Sequence, residues 1–310
     1  MEALVRSGAA DAVAVADPSE ETAEMCELIA PGIAVVRDLD ELLRMPCDGI
    51  VIATPSALHA QQALAALDAG KAVFCQKPLG RNAAEVRRVV AAARENNVLL
   101  GVDLSYRFLA GAQAIKTLVQ NGAIGDIFAV NAVFHNAYGP DKPWFYDRAL
   151  SGGGCVIDLG IHLIDLVLWL LDFPRVTNVC SKLFSGGMPL ERDAPNVEEY
   201  AFAHADLGGR THLSLDCSWR LSAGRNAEIR VSFYGSGGGL SIQNVDGSFY
   251  DFVAERFRGT AREILHASPD EWGGRAAVAW AHRLSEANTF DGENERLIDV
   301  AETLDAIYLN

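Results

Sequence analysis

Between Asp11 and Asp103 short apolar runs alternate with segments patterned as helices, and that alternation constrains the fold more than any other feature. The runs are "DAVAVAD", "IAVV", "DGIVIAT", "KAVFCQKP" and "VLLGVDL"; between them stand "PSEETAEMCELIA", "DLDELLRM", "SALHAQQALAALDAG" and "NAAEVRRVVAAARENN". Strands that short, each followed by a helix, predict βαβ units and a mostly parallel sheet. Gly70 and Asn96-Asn97 stand where helix stops are expected. Beyond Ser105 the rhythm changes: a helix "GAQAIKTLVQNG", a longer strand "DIFAVNAVFHN", an aromatic loop "AYGPDKPWFYD" and an apolar helix from about residue 155 to 171. Five longer strands follow, "RVTNVCSKLF", "VEEYAFAHADL", "RTHLSLDCSW", "AEIRVSFYG" and "GLSIQNV", the last three separated by glycine-rich turns. Strand runs joined by such turns predict an α+β second domain with a mostly antiparallel sheet, closed by helices near 273–289 and 293–308. The expected division is residues 1–103 and 104–310.

With 310 residues, half of them hydrophobic, the chain can bury a core for two domains. Lys and Arg number 26 against 41 Asp and Glu, for a net charge of −15. That balance argues against a nucleic-acid partner, which requires clustered cations, and leaves small solutes as the expected ligands. The longest apolar stretch, "LGIHLIDLVLWLL", is interrupted by His162 and Asp165 and is shorter than the roughly 20 residues that cross a bilayer, so no membrane span is expected. No secretory pattern opens the sequence. The six cysteines are scattered, with no C-x-x-C pair and no zinc-type spacing. They read as reduced thiols of a cytoplasmic protein with no metal.

In a dinucleotide fold the acid ending the second strand accepts hydrogen bonds from the adenosine ribose and repels a 2′-phosphate. Asp17 ends the first visible strand and fits that place. It fits a helix start equally well, since Asp17-Pro18-Ser19-Glu20 has the form of a capping box with Pro at the first helical position. The glycine fingerprint that belongs about 20 residues earlier is absent: Gly8 is the one glycine before Asp17, and no G-x-G-x-x-G occurs elsewhere.

The stretch "SGGGCVIDLGIHLIDLVLWLLD" carries the most chemistry. Helical spacing of four and then three places Asp158, His162 and Asp165 on one stripe of a helix that is otherwise apolar nearly all round. Ionisable groups on a buried helix are costly unless paired or used. A pairing of Asp158 with His162 that merely satisfies the core, and a histidine acid/base oriented by a carboxylate one turn away, are equally consistent with the pattern. The preceding glycines allow a ligand or a backbone to approach closely.

At a strand end, "VFCQKPLGRN" places Lys77 just before Pro78, which stops the ladder. Ligands of open α/β sheets bind beyond the carboxyl ends of the strands, where an ammonium could polarise a carbonyl or hold a hydroxyl, although a surface lysine in a loop fits the position too. Thr54, Pro55 and His59 of "ATPSALHA" end another strand, and ordinary helix initiation explains them as well.

Taken together these stretches resemble the Gfo/Idh/MocA oxidoreductases, named for glucose-fructose oxidoreductase and inositol dehydrogenase. The resemblance rests on "IATPSALHAQQALAALDAGKAVFCQKPLG", on Arg107-Phe108 with "GAIGDI" after them, and on "WFYDRALSGGGCVIDLGIHLIDLVLWLL", which has the family's G-G-x-x-x-D-x-G-x-H-x-x-D pattern in full. It implies a Rossmann-like, doubly wound parallel sheet followed by an α+β domain with an open, mostly antiparallel sheet. It implies catalytic roles for Lys77, Asp158 and His162 in reversible hydride transfer between nicotinamide and a carbinol carbon of a sugar, cyclitol or related polyol. Asp17, Thr54, Pro55, His59, Gln76, Lys77 and Arg107 are then expected around the cofactor, and Trp144, Asp158, His162 and Asp165 around the substrate. Asp17 favours NAD over NADP. Two departures stand out. Gln76 replaces the family's usual Glu, keeping the shape and dropping the charge. The first strand, its glycine turn and most of a helix, the first βα unit, are expected to precede Met1. Two other readings stay open: a non-catalytic ligand-binding or regulatory relative, and an NAD-dependent glycosidase. An uncovered sheet face in the second domain leads one to expect a homo-oligomer.

Overall fold

The computed structural model describes residues 1–191 and 194–309. They fall into two compact units: residues 1–80, 84–105 and 273–297 form the first, and residues 81–83, 106–272 and those from 298 onward form the second.

The first unit follows the alternation read from the sequence: α1 (Glu2–Ser7), β1 (Ala14–Val15), α2 (Glu20–Ile29), β2 (Ala34–Val35), α3 (Leu39–Arg44), β3 (Gly49–Ile52), α4 (Ser56–Asp68), β4 (Ala72–Cys75), α5 (Ala83–Asn96) and β5 (Leu100–Val102). All its ladders are parallel. β1 pairs with β2, and β3, β4 and β5 form a separate sheet in that order, with Ile52 opposite Cys75 and Cys75 opposite Val102. Strand β4 is buried along its whole length, which is why its sequence is an unbroken apolar run rather than an alternating one. Helix α4 turns Ala60, Ala63, Ala66 and Leu67 inward at helical spacing.

A helix from much later in the chain, Arg275–Glu286, completes this unit through its apolar residues Ala276, Trp280 and Ala281. The Trp280 indole packs against Phe74 with ring centroids 5.7 Å apart. A Cβ at Gly49 or Gly101 would meet that indole at 2.7 Å, so both glycines are there to let a ring lie on the strands. Residues 273–297 thus pack with the N-terminal unit although they follow the second unit's sheet in sequence.

The second unit contains α6 (Ala110–Gln120), β6 (Ile127–Asn136), α7 (Arg148–Ser151), a π-helical turn (Val156–Gly160), α8 (Ile161–Leu170) and strands β7 (Val176–Ser185), β8 (Met188–Pro189), β9 (Tyr200–Leu207), β10 (Thr211–Ser218), β11 (Ala227–Gly235), β12 (Gly238–Asn244), β13 (Phe252–Arg258) and β14 (Ala261–Ala267). The strands form one sheet in the order β14-β13-β12-β11-β6-β10-β9-β7-β8. Every pair is antiparallel except β6 with β10. The hairpin β13–β14 escapes a periodicity reading because β14 is an edge strand whose first four residues are all exposed, so no apolar face marks it.

Helix α8 covers this sheet. Leu163, Ile164, Leu166, Val167, Leu168 and Leu170 are each at most 1% exposed. The 23-residue stretch from Arg148 to Leu170, in which helical segments are separated at Gly152–Gly154, is long and apolar enough to cross a membrane, but 83% of its most apolar part is buried inside the protein, as befits a core element. The C-terminal helix, Arg296–Leu309, belongs to this unit from Ile298 onward and brings Tyr308 into its core. All six cysteines are free thiols.

Candidate functional site

In the first unit the expected residues gather at the carboxyl ends of β3 and β4. Thr54 and Pro55 follow β3; Gln76, Lys77 and Pro78 follow β4, and the Lys77–Pro78 peptide is cis. His59, on the first turns of α4 and only 2% exposed, ties the two loops together. Its Nδ1 lies 2.6 Å from the Pro78 carbonyl oxygen and its Nε2 lies 2.6 Å from that of Thr54. Burial pushes its pKa down against the pull of the two carbonyls, and Lys77 adds to the lowering. His59 therefore faces a carbonyl oxygen of each loop with its two ring nitrogens, and the one N–H of the neutral imidazole donates to one of them. Thr54 Oγ1 donates to Gln62 Oε1 at 2.7 Å.

Gln76 Nε2 donates to Asp103 Oδ2 at 2.9 Å, from the end of β4 to the end of β5. Burial raises the Asp103 pKa, opposed by that hydrogen bond and by Lys77. Its other oxygen, Oδ1, is buried with no hydrogen-bond partner among the described residues. Asp103 was not singled out from the sequence, yet it obeys the strand-end rule that singled out Lys77.

Asp17 stands two residues beyond β1 and is exposed. Oδ1 accepts from the Ser19 N–H at 2.8 Å, an Asx turn. The helix cap lies two residues further on than the sequence reading placed it: Ser19 is the N-cap, accepting from Thr22 N–H, and α2 begins at Glu20. Pro18 precedes that cap, because a Pro at 18 leads the chain into the Asx turn rather than opening the helix.

In the second unit Asp158 and His162 sit on the π turn and the first turn of α8. Both are half-buried, whereas Asp165 is only 2% exposed. The stripe inferred from plain α-helical spacing is thus interrupted, since the π turn adds a residue to the register between Cys155 and Ile161. Trp219, 3% exposed at the end of β10, donates its indole Nε1–H to Asp158 Oδ2 at 3.0 Å. His162 stacks on Tyr106 with centroids 4.9 Å apart, and Phe134 stands 6.5 Å away. Burial, and then the nearby Asp158 carboxylate, raise the Tyr106 pKa, so that phenol stays protonated at neutral pH.

Asp165 accepts from Arg107, at 2.8 Å from Nε and also from Nη2, a bidentate pair with Phe173 under the guanidinium. Trp144 stacks on Phe145 at 3.8 Å in the aromatic loop, and the neighbouring Tyr146 packs edge-on against Trp219. The loop and the Asp158 turn therefore share Trp219 as a support.

The glycines before the π turn admit protein. A Cβ on Gly154 would lie 1.9 Å from the Glu198 carbonyl oxygen, and one on Gly153 would lie 2.1 Å from the Tyr308 hydroxyl. Glu198, 1% exposed, accepts through Oε1 from the N–H groups of Gly154 and Val156, both at 2.9 Å, and from Tyr308 at 2.8 Å. Neither Glu198 nor Tyr308 carries a motif. The one sequence signal is a pair of glutamates, "VEEY", entering an apolar strand.

Two family models cover most of this chain: the oxidoreductase family with an NAD-binding Rossmann fold matches residues 1–104, and the GFO/IDH/MocA C-terminal domain matches residues 112–241. The D-glucoside 3-dehydrogenase of Escherichia coli (strain K12) is 30% identical over 211 residues, 65% of this chain and 60% of the relative. The chain thus spans less than two thirds of that relative's length. A 3-ketoreductase from Actinomadura kijaniata, solved with NADP and TDP-benzene, superposes with a TM-score of 0.80 at 22% identity, covering 96% of this chain and 88% of the other. A levoglucosan dehydrogenase solved with NADH and levoglucosan gives 0.78 at 22% identity, covering 99% and 91%. At such identities the structures speak for the fold, and the fold, the two family models and the G-G-x-x-x-D-x-G-x-H-x-x-D block agree: this chain belongs to the Gfo/Idh/MocA oxidoreductase family.

Proposed function

We propose that the protein is an NAD(P)-dependent oxidoreductase acting on a secondary hydroxyl of a sugar, cyclitol or related polyol. The observation that carries this reading is the pair Asp158 and His162, held half-open on an otherwise buried π turn and helix, with Trp219 fixing the carboxylate and Tyr106 backing the imidazole. A protein that needed only a core would have no use for two ionisable groups there. The relatives named as dehydrogenases and a ketoreductase act in the same class of chemistry.

The residues fit a nicotinamide dinucleotide on the ribose and nicotinamide sides. Asp17, Thr54 with Pro55, and Lys77 all lie just beyond the carboxyl ends of parallel strands, and the buried Asp103 Oδ1 has no donor among the described residues. Asp17 would hold ribose hydroxyls, which favours NAD over NADP. No G-x-G-x-x-G occurs in the chain, so no residue is assigned to the pyrophosphate. Bound there, the nicotinamide supplies the hydride acceptor and donor. On the roles that the family pattern implies, His162 would take the proton from the substrate hydroxyl, Lys77 would steady the charge that develops, and Asp158 would orient the substrate and the imidazole. The loop bearing Trp144 shapes the substrate side.

Incubating the protein with NAD+ and a panel of sugars and cyclitols, and following nicotinamide absorbance, tests the reaction. His162→Ala should lower kcat by about 1,000-fold, within the range for a lost general base. Calorimetric titration with NAD+ and NADP+ tests the cofactor half. Absence of heat with either would overturn it, and equal affinity would remove the role given to Asp17. We further propose assembly through the second unit's sheet, which exposes Phe128, Tyr234 and Ile264; a monomer in sedimentation equilibrium would refute it.

A further inference from the structure

A helix start leaves four backbone N–H groups with no partner inside the helix. Here those groups belong to Gly154, Cys155, Val156 and Ile157, and two residues satisfy them all. The Glu198 carboxylate takes Gly154 and Val156, both at 2.9 Å; the Glu198 carbonyl takes Cys155 at 3.0 Å; the Tyr308 hydroxyl takes Ile157 at 3.2 Å while donating to the same carboxylate at 2.8 Å. The glycines are the counterpart of this arrangement, because side chains at 153 or 154 would occupy the space of Tyr308 and Glu198. A buried carboxylate at a helix N-terminus also meets the positive end of the helix dipole.

A residue that only needed to terminate a helix could do so with a serine or an exposed aspartate. Burying a glutamate at 1% exposure is expensive, and the cost is met by a cap more rigid than either. The next residue after the four held amides is Asp158, and His162 is one turn on. We propose that Glu198, with Tyr308, is a positioning residue that fixes Asp158 and His162 in their working orientation. The proposal rests on the oxidoreductase reading for its kinetic consequence, but its geometric consequence stands apart. This cap holds the backbone amides that lead into Asp158, and Trp219 holds its carboxylate, so loosening the cap is expected to disturb the hydrogen bond from Trp219.

The test uses the whole 310-residue chain carrying Glu198→Ala, Glu198→Gln or Tyr308→Phe, with two readouts. One is kcat and KM on the best substrate of the panel. The other is the indole 1H–15N cross-peak of Trp219, assigned with Trp219→Phe. Glu198→Ala is expected to lower kcat about 100-fold with KM for NAD+ changed less than about threefold, because a misplaced catalytic group loses rate rather than cofactor affinity. Glu198→Gln, which keeps an oxygen for the backbone donors, should recover to within about tenfold of the parent. The Trp219 cross-peak should move in Glu198→Ala and stay near the parent position in Glu198→Gln. Parent kcat in Glu198→Ala, or an unmoved cross-peak, overturns the proposal. If the unsubstituted protein turns over no substrate, the oxidoreductase reading fails and the cross-peak alone decides this one. If Glu198→Ala does not fold, Tyr308→Phe serves instead: a moved Trp219 cross-peak supports the positioning role and an unmoved one refutes it.

Discussion

Trp219 donates its indole Nε1–H to Oδ2 of Asp158 at 3.0 Å, linking the end of β10 to the π turn. A hydrogen bond from a buried donor to a carboxylate contributes about 2 kcal/mol, and its loss frees the carboxylate to rotate. Trp219→Phe keeps an aromatic ring against Tyr146 and removes the donor. Unfolding in urea should show a loss of about 2 kcal/mol, and kcat should fall about tenfold with a smaller change in KM. Equal kcat in the two proteins would mean that Asp158 does not depend on this bond.

Arg107 and Asp165 make the second relationship that governs the same helix. Asp165 is 2% exposed and Arg107 20% exposed by side chain, so neither charge has much water to fall back on. Removing one member of such a buried pair costs about 3 to 5 kcal/mol, because it strands the other. Asp165→Ala and Arg107→Ala should each lose about that much in chemical denaturation, and the double variant should lose less than the sum. If Asp165 instead serves the substrate, Asp165→Asn would raise KM while leaving stability near that of the parent. The two outcomes separate a role in holding the helix from the contact with substrate that the family resemblance implies.

What could be read from the sequence, and what could not, follows from the kind of interaction involved. The alternating first unit and the long strands of the second were legible because apolar periodicity is a local property, and Lys77, Asp158 and His162 stood out because their patterns are contiguous. Trp219, Glu198, Tyr308 and Asp103 did not, since each acts through a partner 27 to 151 residues away. Nothing in "VEEY" tells which glutamate turns inward; just ahead of β9 the fold leaves Glu198 1% exposed against the N–H groups of Gly154 and Val156 and Glu199 half-buried beside Arg220. The π turn was equally invisible, because Val156 to Gly160 has no composition that sets it apart from an α-helix. The hairpin β13–β14 was lost to the lack of an apolar face on β14.

Glu198 also predicts a pH dependence. Burial raises its pKa above the ordinary carboxylate value despite the hydrogen bonds it accepts. In the window between those two values the folded protein keeps a proton that the unfolded chain releases. Stability from this group is therefore fully present below the ordinary glutamate pKa, about 4.3, and declines as pH rises through the raised folded value. Glu198→Gln cannot titrate. The difference in unfolding free energy between the parent and Glu198→Gln, measured in urea from acid to neutral pH, should drift against the parent as pH rises and level off once the folded carboxyl has ionised. A flat difference would contradict the raised pKa.

The last prediction concerns the charge at position 76. Gln76 Nε2 donates to Asp103 Oδ2 at 2.9 Å, and Asp103, raised by burial, already resists ionisation. Gln76→Glu would put a second carboxylate where a donor now sits. Two carboxylates at that separation cannot both ionise without cost, so they would share one proton. By the same sign rule the variant should be close to the parent in stability at pH 5 and lose about 2 kcal/mol or more by pH 8, where the shared proton must leave. Moving the charge rather than adding it removes the conflict: in Gln76→Glu with Asp103→Asn the amide and the carboxylate exchange places across the same two strand ends. That double variant should regain the parent's stability at pH 8 and, with one negative charge still beside Lys77, its turnover. If Gln76→Glu alone is as stable as the parent at pH 8, the contact between β4 and β5 is not what keeps position 76 neutral.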